Sequence, residues 1–169
     1  QALPWIDKAQ VRRPLPDVVE LRLTEREPVA RWKAAGLVDA NGNIFQAATT
    51  ETFPEFDGQP GTAKTMVAHY QEFSGLLKPA GLSIAKLEYT PRSAWSVVLD
   101  NGITVRLGRE HENARLQQFA AVWPGILRAQ QSGLAYVDMR YKDGFAVRER
   151  APSEMPSETA ASAADHNQQ

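Results

Sequence analysis

The 169-residue chain contains no cysteine, so disulfide staples, zinc–thiolate centres and cysteine nucleophiles are excluded together. That absence leaves the compartment open, because reducing and oxidising spaces both tolerate it. Charge of one sign is also missing: 19 Lys+Arg against 20 Asp+Glu leaves a formal net charge of −1. Nucleic-acid binders usually carry a clear basic excess, so that function class is disfavoured. No run approaches the roughly 20 apolar residues that span a bilayer, and no signal peptide opens the chain. It starts at Gln1 without an initiator Met, so it reads as a fragment, with any membrane anchor upstream.

Histidine is scarce, and the three present are His69, His111 and His166. None pairs with another at the i, i+4 spacing of a helical metal site, and His-Glu-x-x-His is absent. There is no Gly-x-Ser-x-Gly elbow, no glycine-rich phosphate loop and no convincing carboxylate pair. The most reactive-looking triplet, Glu110-His111-Glu112, precedes a predicted helix, where acidic groups favour the positive end of the dipole. These gaps argue against an enzyme, and no cofactor or metal is expected.

What is there reads as globular: 43% hydrophobic and 23% charged residues. A chain this long buries about 70% of its unfolded surface, enough for one good core or two small ones. Residues 18–24 alternate, Val19, Leu21 and Leu23 against Glu20, Arg22 and Thr24, as a half-buried strand does. From Pro28 the order is strand, hairpin, helix, strands, helix, strands. Asn41-Gly42, Asn101-Gly102 and Asp143-Gly144 each lie between apolar flanks and mark hairpins, since their residues accept positive φ. Residues 46–61 are polar and carry Pro and Gly, and read as loop.

Two helices are predicted. Thr62 can cap the first, where Met66, Tyr70, Phe73 and Leu77 share a face before Pro79 and Gly81 stop it. The second runs from about Asn113 to Gln131 with Leu116, Phe119 and Trp123 as its stripe, and Pro124-Gly125 should kink or break it. Such stripes are ordinarily core. From Ala151 to Gln169 there is no aromatic or β-branched aliphatic residue. That composition cannot offset its ordering entropy, and a mobile tail is expected.

With chemistry absent, recognition remains, and the last hairpin is where to look. Residues 136–141 alternate, and Phe145-Ala146-Val147-Arg148 is the final strand in sequence. As an edge strand it would offer unpaired N–H and C=O groups to a partner strand. Arg140 and Tyr141 beside it are of the types that dominate interface energetics. The plainer alternative is that Arg148, Glu149 and Arg150 only protect an ordinary edge from aggregation.

An ordered series of fragments resembles the bacterial cell-division FtsQ family. It comprises Leu3-Pro4-Trp5-Ile6, Val11-Arg12, Pro16-Asp17, Glu25 and Pro28-Val29-Ala30-Arg31-Trp32. It continues with Leu37-Val38-Asp39-x-x-Gly42-Asn43-x-Phe45, Arg92-Ser93-Ala94-Trp95, Leu107-Gly108-Arg109 and the run from Tyr136 to Tyr141. The match extends from Leu3 to about Val147. The resemblance implies an α+β fold: a curved mixed β-sheet with two helices packed on it over residues 28–150, the β domain. Residues 1–27 would be the last two strands of a POTRA domain, and 151–169 a disordered tail.

The family implies a non-enzymatic divisome scaffold on the periplasmic side of the inner membrane at the septum, anchored in full length by one membrane-spanning helix. It would bind FtsB directly by strand addition, with FtsL in the complex, alongside other divisome proteins, and help regulate septal cell-wall synthesis. Carried over by motif, Arg92, Arg140 and Tyr141 would be anchors, with Asp143, Gly144, Phe145, Ala146, Val147 and Arg148 forming the receiving hairpin. Family members place an aromatic residue shortly after the last strand, where this chain has Arg148-Glu149-Arg150, so Phe145 is expected to supply that aromatic surface. The alternative is a POTRA-type chaperone or assembly factor for outer-membrane proteins, disfavoured because two helices on a large sheet have no place there.

Overall fold

The computed structural model describes residues 6–15, 18–33, 35–142 and 144–150. Strands β1 (Ile6–Leu15) and β2 (Val18–Glu25) pair antiparallel as a sheet of their own. Val11 and Leu21 sit opposite each other in it, and Leu21 is 57% exposed. At that position the alternation expected of a half-buried strand belongs to an open face. Arg26 follows the hairpin, its guanidinium 4.0 Å from Asp7 and 5.5 Å from the centre of the Phe45 ring.

The remaining strands form one mixed sheet. They are β3 (Pro28–Trp32), β4 (Leu37–Asp39), β5 (Ile44–Phe45), β6 (Glu55–Asp57), β7 (Ile84–Tyr89), β8 (Trp95–Leu99), β9 (Thr104–Gly108), β10 (Leu134–Asp138) and β11 (Ala146–Glu149). Across the sheet the order is β11-β10-β9-β8-β7-β6-β3-β4-β5. The parallel pairs are β3 with β6, β6 with β7 and β9 with β10. A parallel pair needs a crossover rather than a tight turn. Helices α1 (Ala63–Leu77) and α2 (Glu112–Val122) fill that role between β6 and β7 and between β9 and β10.

Both helices pack against each other and against the sheet. Met66, Phe73 and Leu77 of α1 and Leu116 and Phe119 of α2 are buried with Phe56, Leu87, Val97 and Val105 beneath them. Fully burying each such side chain contributes about 1.5–3 kcal/mol. The opposite face carries Lys86, Glu88, Ser96 and Arg106, none of them buried. The two-helix mixed-sheet fold expected from the sequence is the one observed.

Some local expectations need correction. Residues 46–61 are not all loop, since they hold β6, whose Phe56 is completely buried between β3 and β7. Three residues with one apolar side chain are too short to show a period. Thr62 stands at the start of α1 but does not cap it; its hydroxyl donates to the Gln59 carbonyl at 2.7 Å. The break expected at Pro124-Gly125 is present: regular α-helix stops at Val122, though the chain stays helical beyond it. Lacking an N–H, Pro124 is absorbed by a wide π-helical turn over Trp123–Leu127, followed by a tighter helical stretch over Arg128–Gly133. Trp123 and Leu127 therefore stay buried.

The hairpin between β4 and β5 shows how a polar residue fixes a turn. Asp39 accepts the amides of Asn41 and Asn43 and the Asn43 side-chain amide, each at 2.9 Å. Burial pushes its carboxyl upward, but those bonds, with the Arg26 charge, outweigh it and hold the carboxyl below its usual range. The predicted tail, 151–169, and Asp143 of the last turn lie outside the described residues.

Candidate functional site: an open strand edge beside an arginine cleft

Strand β11 lies at one end of the sheet and pairs only with β10, so among the described residues its outer row of backbone groups has no strand neighbour. It runs one residue later than expected, from Ala146 to Glu149, leaving Phe145 outside. Val147 faces Val137, which is fully buried beneath the helices, so Val147 lies on the helix side of the sheet. Ala146 and Arg148 therefore lie on the other face. Val147 is 46% exposed, as an edge residue with a missing neighbour would be.

The approach to this strand also departs from expectation. Strand β10 ends at Asp138, so Arg140 and Tyr141 belong to the connection rather than to the strand. Met139 anchors that connection, buried, with its N–H donating to the Arg106 carbonyl at 2.9 Å. Tyr141 is 59% exposed. Gly144 is half-buried, and Phe145 packs its ring against the core. Phe145 is thus half-buried, with part of its ring turned to the core and part left on the outer surface expected of it.

Arg140 is not a free cation. Its Nε donates to both oxygens of Asp138, at 2.8 and 3.1 Å, and its Nη2 to Oδ2 at 2.6 Å. Its backbone N–H reaches Oδ1 at 3.1 Å. Asp138 is buried, whereas the Arg140 side chain keeps 55% of its surface. The bond from Arg140 outweighs burial and holds the Asp138 carboxyl below its usual range; the same bond pushes the guanidinium up. The guanidinium is thereby aimed, with one edge spent on its own chain.

Arg92 sits exposed in the turn joining β7 and β8, where Thr90 N–H donates to the Ala94 carbonyl at 3.0 Å. The fold brings Arg92 and Arg140 to the rim of one cleft of about 460 Å³, together with Arg109, Arg115 and Glu110. Gly108 makes this convergence possible. At its φ of +82°, an added Cβ would stand 2.9 Å from Nη1 of Arg115 and 3.2 Å from Cγ of Arg140. Arg115 in turn donates from Nη1 to the Leu107 carbonyl at 2.5 Å.

Asp138, Arg109 and Arg115 were not among the anchors expected from sequence, although Asp138 and Arg109 lie in fragments that carry the family resemblance. The Asp138-x-Arg140 spacing at a strand end could have suggested the first pair, since residues two apart share a face. Nothing local could have placed Arg115, which arrives by the docking of α2. The triplet Glu110-His111-Glu112 does not converge. Glu110 lines the cleft and His111 is exposed, while Glu112 turns to His69 on α1, 3.4 Å from its Nε2. His69 itself stacks on Trp95 with ring centres 4.3 Å apart. Among the described residues no group of three or more His, Asp or Glu side chains could hold a metal ion, and no helix is long and apolar enough to cross a membrane.

Fold and site together define an α+β sheet domain with an open edge strand next to a cationic cleft, joined to a β-hairpin of separate pairing. The chain belongs to the FtsQ/DivIB family of cell division proteins. Residues 30–140 match the family described as cell division protein FtsQ/DivIB, C-terminal, and residues 1–26 match the POTRA domain of FtsQ type. The cell division protein FtsQ of Neisseria gonorrhoeae is 54% identical over 154 residues, covering 90% of this chain and 63% of that protein. FtsQ of Neisseria meningitidis is 55% identical over 146 residues, covering 86% and 62%. FtsQ of Burkholderia pseudomallei is 36% identical over 155 residues, covering 88% and 62%. The chain therefore spans a little under two thirds of these relatives' length.

Proposed function

We propose that this chain is part of a non-enzymatic divisome scaffold that receives a short strand of FtsB along β11, within a complex that includes FtsL and other divisome proteins. In this reading the scaffold works on the periplasmic side of the inner membrane at the septum and helps regulate septal cell-wall synthesis. Residues 1–27 belong to a POTRA domain, 28–150 form the partner-binding domain and 151–169 a tail. The observation that carries the reading is the position of β11 at the end of the sheet, with its outer backbone groups unpaired among the described residues.

Main-chain hydrogen bonds to an added strand are largely blind to sequence, so specificity must come from side chains flanking the edge. Arg92 and Arg140, on the cleft rim, are suited to acidic side chains of the partner, and the exposed ring of Tyr141 to an apolar one. The test is calorimetry with a synthetic peptide of the FtsB periplasmic segment, paired with hydrogen exchange. Binding should slow exchange of the outward-facing β11 amides. Tyr141→Ala should weaken binding about tenfold, a loss of about 1.4 kcal/mol. Its exposure means stability should hardly change. Unaltered exchange in β11 at saturating peptide would refute the assignment of the edge.

A further inference from the structure

On the face of the sheet away from the helices, three side chains make a row that the proposed anchors do not include. Arg106 of β9 holds its guanidinium over the ring of Tyr136 on β10, 4.1 Å from the centroid. Arg148 of β11 stands directly across from Tyr136. The Asp138 carboxylate feels the Arg106 charge but is already bonded to Arg140. No ion pair joins Arg148 to any described residue, and its neighbour Glu149 faces the buried Leu134, which places Glu149 on the helix side. Arg148 is therefore a cation at the rim with a flat aromatic on its inner flank and, among the described residues, no strand on its outer flank.

We infer that Arg148, backed by Tyr136 and Arg106, selects an acidic residue on the outer face of the added strand, and that this choice sets the strand's register. The inference rests on the strand-addition reading and extends it to partner sequence. Residues directly opposite across two strands are in side-chain contact; opposite charges there attract and like charges repel. Three successive positions of β11 thus impose three different demands. Val147, with Tyr141 near the same end of the edge, favours an apolar residue on the helix side. Arg148 favours an acidic residue on the outer side. Glu149 disfavours an acidic residue back on the helix side. A slip of one residue would exchange the faces of every partner side chain, pressing an acid against Glu149 or an apolar group against Arg148. The backbone ladder alone cannot make that distinction, and this triplet can.

The experiment uses the full 169-residue chain and the FtsB peptide, with a set of peptides in which each acidic residue is changed singly to lysine. Arg148→Glu should weaken the parent peptide about three- to tenfold, roughly half to one decade in Kd. One lysine peptide should bind Arg148→Glu better than it binds the wild-type chain. Arg148→Gln, which removes charge without reversing it, should give a smaller loss, and circular dichroism should show both variants folded. If Arg148→Glu binds every peptide as the wild type does, or if no lysine position restores its binding, the inference is overturned while strand addition stands. If the wild-type chain leaves the parent peptide unbound, the strand-addition reading falls, and the inference with it.

Discussion

Removing Arg140 tests whether the cation beside the open edge is there for the partner alone or also for the fold. In Arg140→Ala the Asp138 carboxylate stays buried and loses three side-chain hydrogen bonds. Stranding a buried charge costs about 3–5 kcal/mol, but the Arg140 side chain is 55% exposed, so water screens the pair and fills part of the gap. A loss of about 2 kcal/mol is expected, which at the urea slope of a small domain lowers the midpoint by about 1 M. The double variant Asp138→Asn/Arg140→Ala should recover about half of that, because no charge is left stranded. The pH dependence adds a second check. The Asp138 carboxyl lies below its ordinary value of 3.8 in the folded protein, so the stability it contributes is complete above about pH 4. That stability is lost as pH falls through the lower, folded value. Without the Arg140 side chain the largest cause of that depression is gone, so the deficit of the variant should be largest near neutral pH and narrow in acid. Urea unfolding of the wild type and both variants at neutral and acid pH decides the matter. A double variant no more stable than Arg140→Ala would refute the reasoning. Charge reversal at Arg140 is, for the same reason, a poor probe of binding, since it sets a second carboxylate against Asp138.

Phe56→Ala should cost about 3–5 kcal/mol, because the ring is wholly enclosed in a strand flanked by two others; a thermal-unfolding midpoint within experimental error of the wild type would contradict that placement. Gly108→Ala should cost at least about 1–2 kcal/mol from its positive φ alone, and displace Arg115 and Arg140, so both stability and FtsB-peptide affinity should fall. Asp39→Asn should lower stability by about 1–2 kcal/mol at neutral pH. That deficit should shrink as pH drops through the depressed carboxyl value of Asp39, which urea midpoints across the acid range would show. Binding through Arg92, Arg140 and Arg148 should weaken as salt is added, since ions screen exposed charges over about 10 Å at 0.1 M; a Kd flat in salt would leave those cations without a role.

Legibility from sequence varied with the length of each signal. The stripe Met66-Tyr70-Phe73-Leu77 repeats long enough to define a helix and its buried face, and Asn41-Gly42 and Asn101-Gly102 mark turns whose glycines do adopt positive φ. Phe56 stands alone between polar neighbours, so β6 left no periodic trace although it lies inside the sheet. The proposed anchors show the same division. Arg140 and Tyr141 could be chosen by residue type and by likeness to the family. The Asp138 carboxylate that holds Arg140 is also a near neighbour in sequence, whereas the Gly108 gap depends on the docking of α2, which brings Arg115, and the stacking of Arg106 on Tyr136 depends on β9 and β10 lying side by side in parallel.

By itself, then, the order of residues determined which segments are helical, where hairpins turn, which family the chain resembles and which strand comes last. Those properties arise from interactions among near neighbours, within a turn or a few residues of alternation. Whether the last strand is an edge, which face each of its side chains takes, and which arginines meet around one cleft were decided only by tertiary structure. The reason is that these outcomes join positions far apart in the chain, Arg92 to Arg140 or Arg106 to Arg148, through strand order and helix docking. No local pattern of side chains encodes a neighbour that arrives from elsewhere in the fold, nor one that is missing.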